Sequence, residues 1–475
     1  MIHYCIDKTI PAARSIEQSI RQMMAIGSFP QTHHLIIQFS HTQYYFPQTP
    51  SLELLALVSV GMSCSESILI EGSIFLFTPE RLSQLQLLSN NSDDNGNVLR
   101  EYCRRHSLPW LVMSDPWILA PIHIPKPWGQ EIWYTGIEAR GLSGVMGDSG
   151  SIPLPWLLEI MPEGMGLPKQ SPPLLLKVLD PLPDKVYGDL YFELHQEKQE
   201  VYVVTHIDSS AWPEGIGAIQ LGFAPQARQR FSNDDEFKLA YLNSVKAYEQ
   251  VRRLVDIKLD EKKAAAGIDA KQDAAHVQLM QWMSELSQDV ESKKLIEHES
   301  ELRQTMNSFV ASHPLTLGDV VTVPRLVPHA LQHGVRVVEF QTPVYERKIL
   351  SFGQKVRTQL HWDTEDALEL AELNFAQLQS PELISLTPQL RIERIVNFDD
   401  FAVQRIQLDG AYAFLGDVYS VLMVLQGRLT LHSSGRTCDL ESTQAVLLSR
   451  AGSGWELSSS SPCLFLLASP QQLLK

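Results

Sequence analysis

Glu193 and His195 stand two residues apart in Gly188-Asp189-Leu190-Tyr191-Phe192-Glu193-Leu194-His195, a stretch that reads as a strand. Side chains alternate across a strand with a period of two, so this carboxylate and this imidazole share a face and can share a ligand. A turn through Gln196 to Lys198 brings Glu200, at the head of the next strand, to the same interior. Lys198, two residues before Glu200, points to that face as well. A fourth donor comes from far along the chain: Gly318 to Pro324 reads as a strand, a proline-bounded turn follows, and His329 comes next. Carboxylate oxygen with imidazole nitrogen suits divalent Zn, Mn, Fe or Ni. The five cysteines (Cys5, Cys64, Cys103, Cys438, Cys463) lie far apart without a Cys-x-x-Cys pair. They read as reduced thiols, and any metal must rest on His and carboxylate.

Such donors need strands to hold them. From about 116 to 231 short strands are cut by prolines and glycines, a texture that suits an antiparallel β-barrel or sandwich better than βαβ units. A helical block follows: Ser232 with Asp235 resembles an N-cap pair, Phe237, Tyr241, Val245 and Tyr248 recur at helical spacing, and a later run holds Val277, Met280 and Leu286. Lys262 to Gly267 predicts a helix end and turn. The β texture resumes at Leu317 and runs to about 362, so the two β pieces read as one metal-binding domain, 116–231 with 313–375, split by a helical insertion at 232–312. Residues 1–115 alternate helix-like pieces (Ser15 to Met24, Val98 to His106) with strand-like ones (His34 to Phe39, Ile68 to Phe77), as in a small α/β domain, with a loop over Ser89 to Asn97. Residues 376–475 carry further strands around Tyr419 to Leu425, Arg428 to His432, Ala445 to Ser449 and Cys463 to Leu467, and read as a second β-barrel. The expected class is mainly β.

Length and charge bound the function. A chain of 475 residues, 44% hydrophobic and 20% charged, is long enough for about three domains. A formal charge of −16 with scattered basic residues repels phosphate backbones and anionic lipid, so neither nucleic acid nor membrane is an expected partner, and a small molecule fits better. The first eight residues show no basic segment leading into an apolar core, so a cytoplasmic location is expected.

The two ligand-bearing segments resemble the paired motifs of the cupin superfamily: a glycine-led strand with x-His-x4-Glu spacing, then Gly-x5-Pro followed by a turn and His. More narrowly, the chain resembles the type I mannose-6-phosphate isomerases (phosphomannose isomerases). That family has a Gln-x-His ligand pair, a Lys-x-Glu triplet, and a His-Ala segment leading to a Glu and an Arg. This chain offers Glu193-Leu194-His195, Lys198-Gln199-Glu200, His329-Ala330, Glu339 and Arg347. Lys126-Pro127-Trp128-Gly129 and Leu176-Lys177-Val178-Leu179 fit the same layout, as does the helical interruption. The resemblance covers about residues 120 to 470. It implies two cupin (jelly-roll) barrels, the second without metal ligands. It also departs from the family: the ligand Gln is Glu193 here, and the Ser-Asp-Asn before the arginine is absent from Gln341 to Lys348.

The resemblance implies an aldose-ketose isomerase of a phosphorylated sugar, with a divalent metal, zinc first and Mn or Fe as alternatives, on Glu193, His195, Glu200 and His329. Lys198 and Glu339 are candidates for proton transfer, and Arg347 for the phosphate, because its planar fork matches oxyanions. Two alternatives stay open: a metal-dependent cupin oxygenase, and a non-catalytic sugar-binding or regulatory cupin. His33, His34, His206, His333 and His432 lack ligand spacing and read as ordinary histidines. His361-Trp362-Asp363 reads as a strand end before a helix from Glu365 to Leu373.

Overall fold

The computed structural model describes residues 2–5, 10–26, 32–62, 67–89, 95–169, 171–268, 276–353, 362–374, 378, 380–414, 416–433, 436–450 and 454–471. His361 and residues 90–94 of the expected loop lie outside them; Asn95 already opens the helix Asn95–Arg105. The protein is mainly β. Its N-terminal sheet holds five strands in the order Ile2–Cys5, His33–Thr42, Ser51–Met62, Ile68–Leu76 and Leu111–Val112, the first pair parallel and the rest antiparallel. The run Leu54-Leu55-Ala56-Leu57-Val58 is apolar at every position because both faces are covered. Leu55 and Leu57 pack with Leu85, Leu99 and Tyr102 of the helices behind, while Leu54, Ala56 and Val58 join Ile16 in a core that continues to Leu176, Phe340 and Val403.

Two sheets build the central region. Its strands are β1 (Ile122–Lys126), β2 (Gly129–Trp133), β3 (Leu175–Pro181), β4 (Phe192–Leu194), β5 (Glu200–Ile207), β6 (Gly217–Phe223), β7 (Val310–Leu315), β8 (Val320–Val323), β9 (His329–Leu331), β10 (Val335–Gln341) and β11 (Lys348–Ser351). One sheet runs β8-β5-β10-β3-β2-β1 and the other β7-β6-β9-β4-β11. They close on a shared apolar core that includes Tyr202, Val204, Val321 and Val337 from the first sheet and Ile219, Leu331 and Ile349 from the second. This is the face-to-face arrangement of a jelly roll.

Between β6 and β7 lie α1 (Asp234–Ala265), α2 (His276–Leu286) and α3 (Val290–Asn307). Phe237, Tyr241, Val245 and Tyr248 form the buried stripe of α1, as their spacing requires. The cap differs from the sequence reading. Asn233, not Ser232, has the extended cap conformation; its side chain accepts from Glu236 N at 2.9 Å, and Glu236 reaches back to Ser232 N at 3.1 Å. This displaces the Ser232–Asp235 pairing by one residue.

The C-terminal strands form a fourth large sheet together with Trp117–Ala120, Gly144–Gly147 and Gly150–Pro153. Val446 and Leu447 pair with Ile118 and Trp117, so an early segment of the chain is built into a late sheet. No helix of the described residues is long and apolar enough to cross a membrane.

Candidate metal centre

The ladder registers set which side chains meet. Glu193 on β4 lies opposite His329 on β9, and on β5 Glu200 lies opposite Gln341 and Tyr202 opposite Glu339 of β10. Glu339 in turn faces Lys177 on β3, which faces Trp133 on β2. Alternation therefore carries one row of polar side chains, Tyr202, Glu339, Lys177 and Trp133, across the inner face of the six-stranded sheet, with Glu200 and Gln341 one step along. His195 sits just past the end of β4, where its carbonyl accepts from Leu326 N at 2.7 Å.

His195, Glu200 and His329 offer donor atoms that all lie within 4.8 Å of one another. None is more than 3% exposed. Glu200 bridges the two rings: Oε1 is 3.3 Å from His195 Nε2 and 2.8 Å from Lys198 Nζ, while Oε2 is 3.1 Å from His329 Nε2 and accepts from the Tyr202 hydroxyl at 2.6 Å. The His329 ring is oriented by Nδ1, which donates to the Val327 carbonyl at 3.1 Å. In the neutral ring that assignment leaves a lone pair on Nε2 facing the Glu200 carboxylate, two acceptors turned toward each other. Both ring nitrogens of His195 and Oε2 of Glu193 are buried without a hydrogen-bond partner. Converging lone pairs of this kind fit a divalent cation held by nitrogen and oxygen, and the backbone bond to His329 is the usual outer support of such a ligand.

The charges are tuned by their neighbours. Burial alone would raise the Glu200 carboxyl, but the Lys198 ammonium holds it well below the usual carboxylate range. Burial, then Lys198, lowers His195, which keeps the ring neutral and able to donate its lone pair. Glu339 goes the other way: burial pushes it up to about 8 against the pull of Lys177, with Glu200 adding to the rise. Burial would lower Lys177, but Glu339 and Glu131 outweigh it and raise its ammonium.

The other expected residues are placed as follows. Glu193 lies outside the close group of three; its Oε1 is 3.8 Å from His195 Nε2 and its Oε2 is 3.6 Å from Arg347 Nη1. Arg347 also lies over the Tyr191 ring at 4.7 Å. Glu339 is in the buried row. Lys177 was named in the sequence only within Leu176-Lys177-Val178-Leu179, a segment that fits the family layout, yet it is buried, donates to Gln341 Oε1 at 2.8 Å and lies over Trp133 at 5.6 Å. Glu131 completes the row, accepting from Trp133 Nε1 at 2.6 Å and pairing with Lys126 at 2.9 Å. The signal for Lys177 was its place between Leu176 and Val178, since an ionisable residue flanked by apolar ones in a strand is rarely there for packing; Glu131, which follows Gln130, carried no such signal.

No family model and no curated protein matches this sequence. Solved structures do. The chain is similar to mannose 6-phosphate isomerase from Bacillus subtilis, with a TM-score of 0.51 and 15% identity over 74% of this chain and 99% of that one. It is equally similar to the apo form of mannose 6-phosphate isomerase from Salmonella typhimurium, with a TM-score of 0.51 and 12% identity over 75% of this chain and 99% of that one. At such identity the likeness speaks to architecture and not to activity. By architecture, then, the chain has a fold like that of the mannose 6-phosphate isomerases, with a buried His-Glu-His group that can hold a metal.

Proposed function

We propose that the protein is a metal-dependent aldose-ketose isomerase of a phosphorylated sugar, with mannose 6-phosphate and fructose 6-phosphate as the first pair to test and zinc as the first metal. The observation that carries the reading is that His195, Glu200 and His329 share one buried interior with Glu339 and Lys177. Isomerisation moves a proton between adjacent carbons through an enediol, so it needs a group that can give and take a proton and a way to steady the oxygens. A metal on the three residues, with Glu193 beside them, would supply Lewis acidity toward the substrate's carbonyl and hydroxyl oxygens. Glu339, which burial pushes well above the ordinary carboxyl value in the metal-free chain, is the group placed to hold a proton and pass it to a substrate atom, while Lys177 beside it offers positive charge as oxygen charge develops. Lys198 steadies Glu200 and is a second candidate for proton transfer. Arg347, more exposed than the three ligands, is the candidate anchor for the phosphate.

One observation favours an alternative. Arg347 is paired with Glu193, which suits a site that binds a sugar without turning it over. The experiment that separates them is metal analysis of the purified chain and of Glu200→Ala, followed by a coupled assay with mannose 6-phosphate and a panel of sugar phosphates. We expect stoichiometric metal, lost in the variant, and turnover of at least one sugar phosphate. Metal uptake untouched by Glu200→Ala sinks the site; metal without turnover sinks the isomerase and leaves the sugar-binding reading.

A further inference from the structure

We infer that Asp399 and Asp400, in the turn between the C-terminal strands Leu390–Asn397 and Phe401–Phe414, are positioning residues for the metal centre, acting through Gln199. The inference rests on the metal reading above. Gln199 lies between Lys198 and Glu200, and alternation turns it to the opposite face from them. Its side chain is 7% exposed and fully engaged. Nε2 donates to Asp399 Oδ1 and to Asp400 Oδ1, both at 3.1 Å, and Oε1 accepts from Arg325 Nη1 at 3.1 Å, which uses both amide hydrogens and the carbonyl. Its backbone is held too: Gln199 N donates to Thr342 Oγ1 at 3.0 Å and Gln199 O accepts from Thr342 N at 3.1 Å. Thr342 Oγ1 in turn donates to Asp400 Oδ2.

The same cluster reaches the other working residues. Arg325 pairs with Asp399 at 3.1 Å and donates from Nε to Glu197 O at 3.1 Å, and the next residue, Leu326, holds the His195 carbonyl. Thr342 follows Gln341, which faces Glu200 and accepts from Lys177. An outward residue fixed at five points leaves its two inward neighbours little freedom, so the clamp sets where the Lys198 ammonium and the Glu200 carboxylate stand. Asp400, with a side chain 23% exposed against 61% for Asp399, is the stronger half. Elsewhere the junction between the two regions is largely apolar, through Val201, Phe340, Phe401 and Val403, so ordinary docking has its own support.

The test measures the zinc affinity of the full chain by competition with a chromophoric chelator, alongside thermal melting. Asp400→Ala is expected to weaken zinc binding by about 10-fold with the fold kept, the low end of the range for groups bonded directly to a metal ligand, because Asp400 acts through Gln199. Asp400→Asn, which keeps an acceptor for Gln199, recovers most of that loss. Gln199→Leu removes the clamp from the other side and stands in if Asp400→Ala fails to fold. Arg405→Ala is the control: Arg405 bridges the same two regions, from Glu393 at 2.8 Å to the Gly318 carbonyl, without touching the turn that carries the ligands. It should lower the melting temperature and leave zinc affinity alone. Unchanged affinity in Asp400→Ala or Gln199→Leu, or an equal loss in Arg405→Ala, overturns the clamp while the metal centre stands. A wild-type chain that takes up no zinc overturns the metal reading itself, and the clamp with it.

Discussion

Between the two central sheets the inward positions carry, beside their apolar core, Glu131, Lys177, Glu200, Glu339 and Gln341, all buried, whereas the inward positions of the C-terminal sheet carry Ile406, Leu408, Leu422, Val424, Leu431, Phe465 and Leu467. Both regions are antiparallel strands with the same period of two. Apolar side chains buried face to face stabilise a fold directly. Charges taken out of water oppose it unless each finds a partner, and even well-paired ones rarely stabilise more than hydrocarbon of the same volume. In the central region the charges are paired in series, Lys126 with Glu131 and Lys198 with Glu200, with Lys177 facing Glu339, yet His195 and Glu193 still keep buried atoms without a hydrogen-bond partner. Two similar scaffolds thus divide the labour: one gives up stability for an interior of buried charges that can hold a metal, and the other contributes apolar burial and, among the described residues, reaches that candidate site through its Asp399–Asp400 turn.

The sharpest way to break this contrast is Glu339→Gln. Loss of a proton-transfer group should lower turnover by about 10²–10⁴-fold while the chain stays folded. The same variant tests the charge environment. In the metal-free protein Glu339 keeps its proton up to about 8, against an ordinary value of 4.5. The folded state therefore binds more protons across that window, and its stability falls as pH rises through it and levels off above. Denaturant titrations in chelator should show that slope removed by Glu339→Gln; an identical slope would show that the carboxyl is not held neutral. The complementary change is Phe465→Ala in the C-terminal core. It should destabilise by about 3–5 kcal/mol through lost burial and a cavity, with zinc affinity of the folded protein unchanged. A fall in zinc affinity of comparable size would mean that the two interiors are not separate.

How much of this was legible depends on the range of the interaction. Glu193, His195, Lys198 and Glu200 were visible because the alternation that places them is local, and His329 because glycine, proline and histidine punctuate a single short segment. The helical block was visible from Phe237, Tyr241, Val245 and Tyr248, but its cap fell one residue away, since Ser232 and Asn233 are both good caps and the backbone conformation decides between them. Lys177 sits between Leu176 and Val178 as Glu339 sits between Val338 and Phe340, but its facing partner Glu339 is supplied only by the sheet register, and Glu131, beside Gln130, had no local signal at all. The pairing of Trp117 with Leu447, and the grip of Asp400 on Gln199 across 201 residues, have no local trace at all. They follow from how finished sheets pack, which no spacing within a segment encodes.

The finest test of the comparison is Tyr202→Phe, because it removes one hydroxyl from the buried polar interior and leaves the ring in place. The Tyr202 phenol is buried and, with Glu200 next to it, is pushed far above its ordinary value, so it remains a donor at any working pH. Its 2.6 Å bond to Glu200 Oε2 competes with any cation for that oxygen's electrons, but it also fixes the plane of the carboxylate so that Oε2 faces His329 and Oε1 faces His195. If orientation dominates, removing the hydroxyl weakens zinc binding, at the lower end of the about 10–100-fold range for outer partners. Phenylalanine keeps the ring that packs near His329 at 6.1 Å, so the melting temperature of the metal-free chain should barely move. Zinc binding as tight as wild type would show that the two histidines and Lys198 orient Glu200 without help. The Asp400 clamp would then be the outer support that matters most, and the division of labour between the two regions would be stronger than the interior alone suggests.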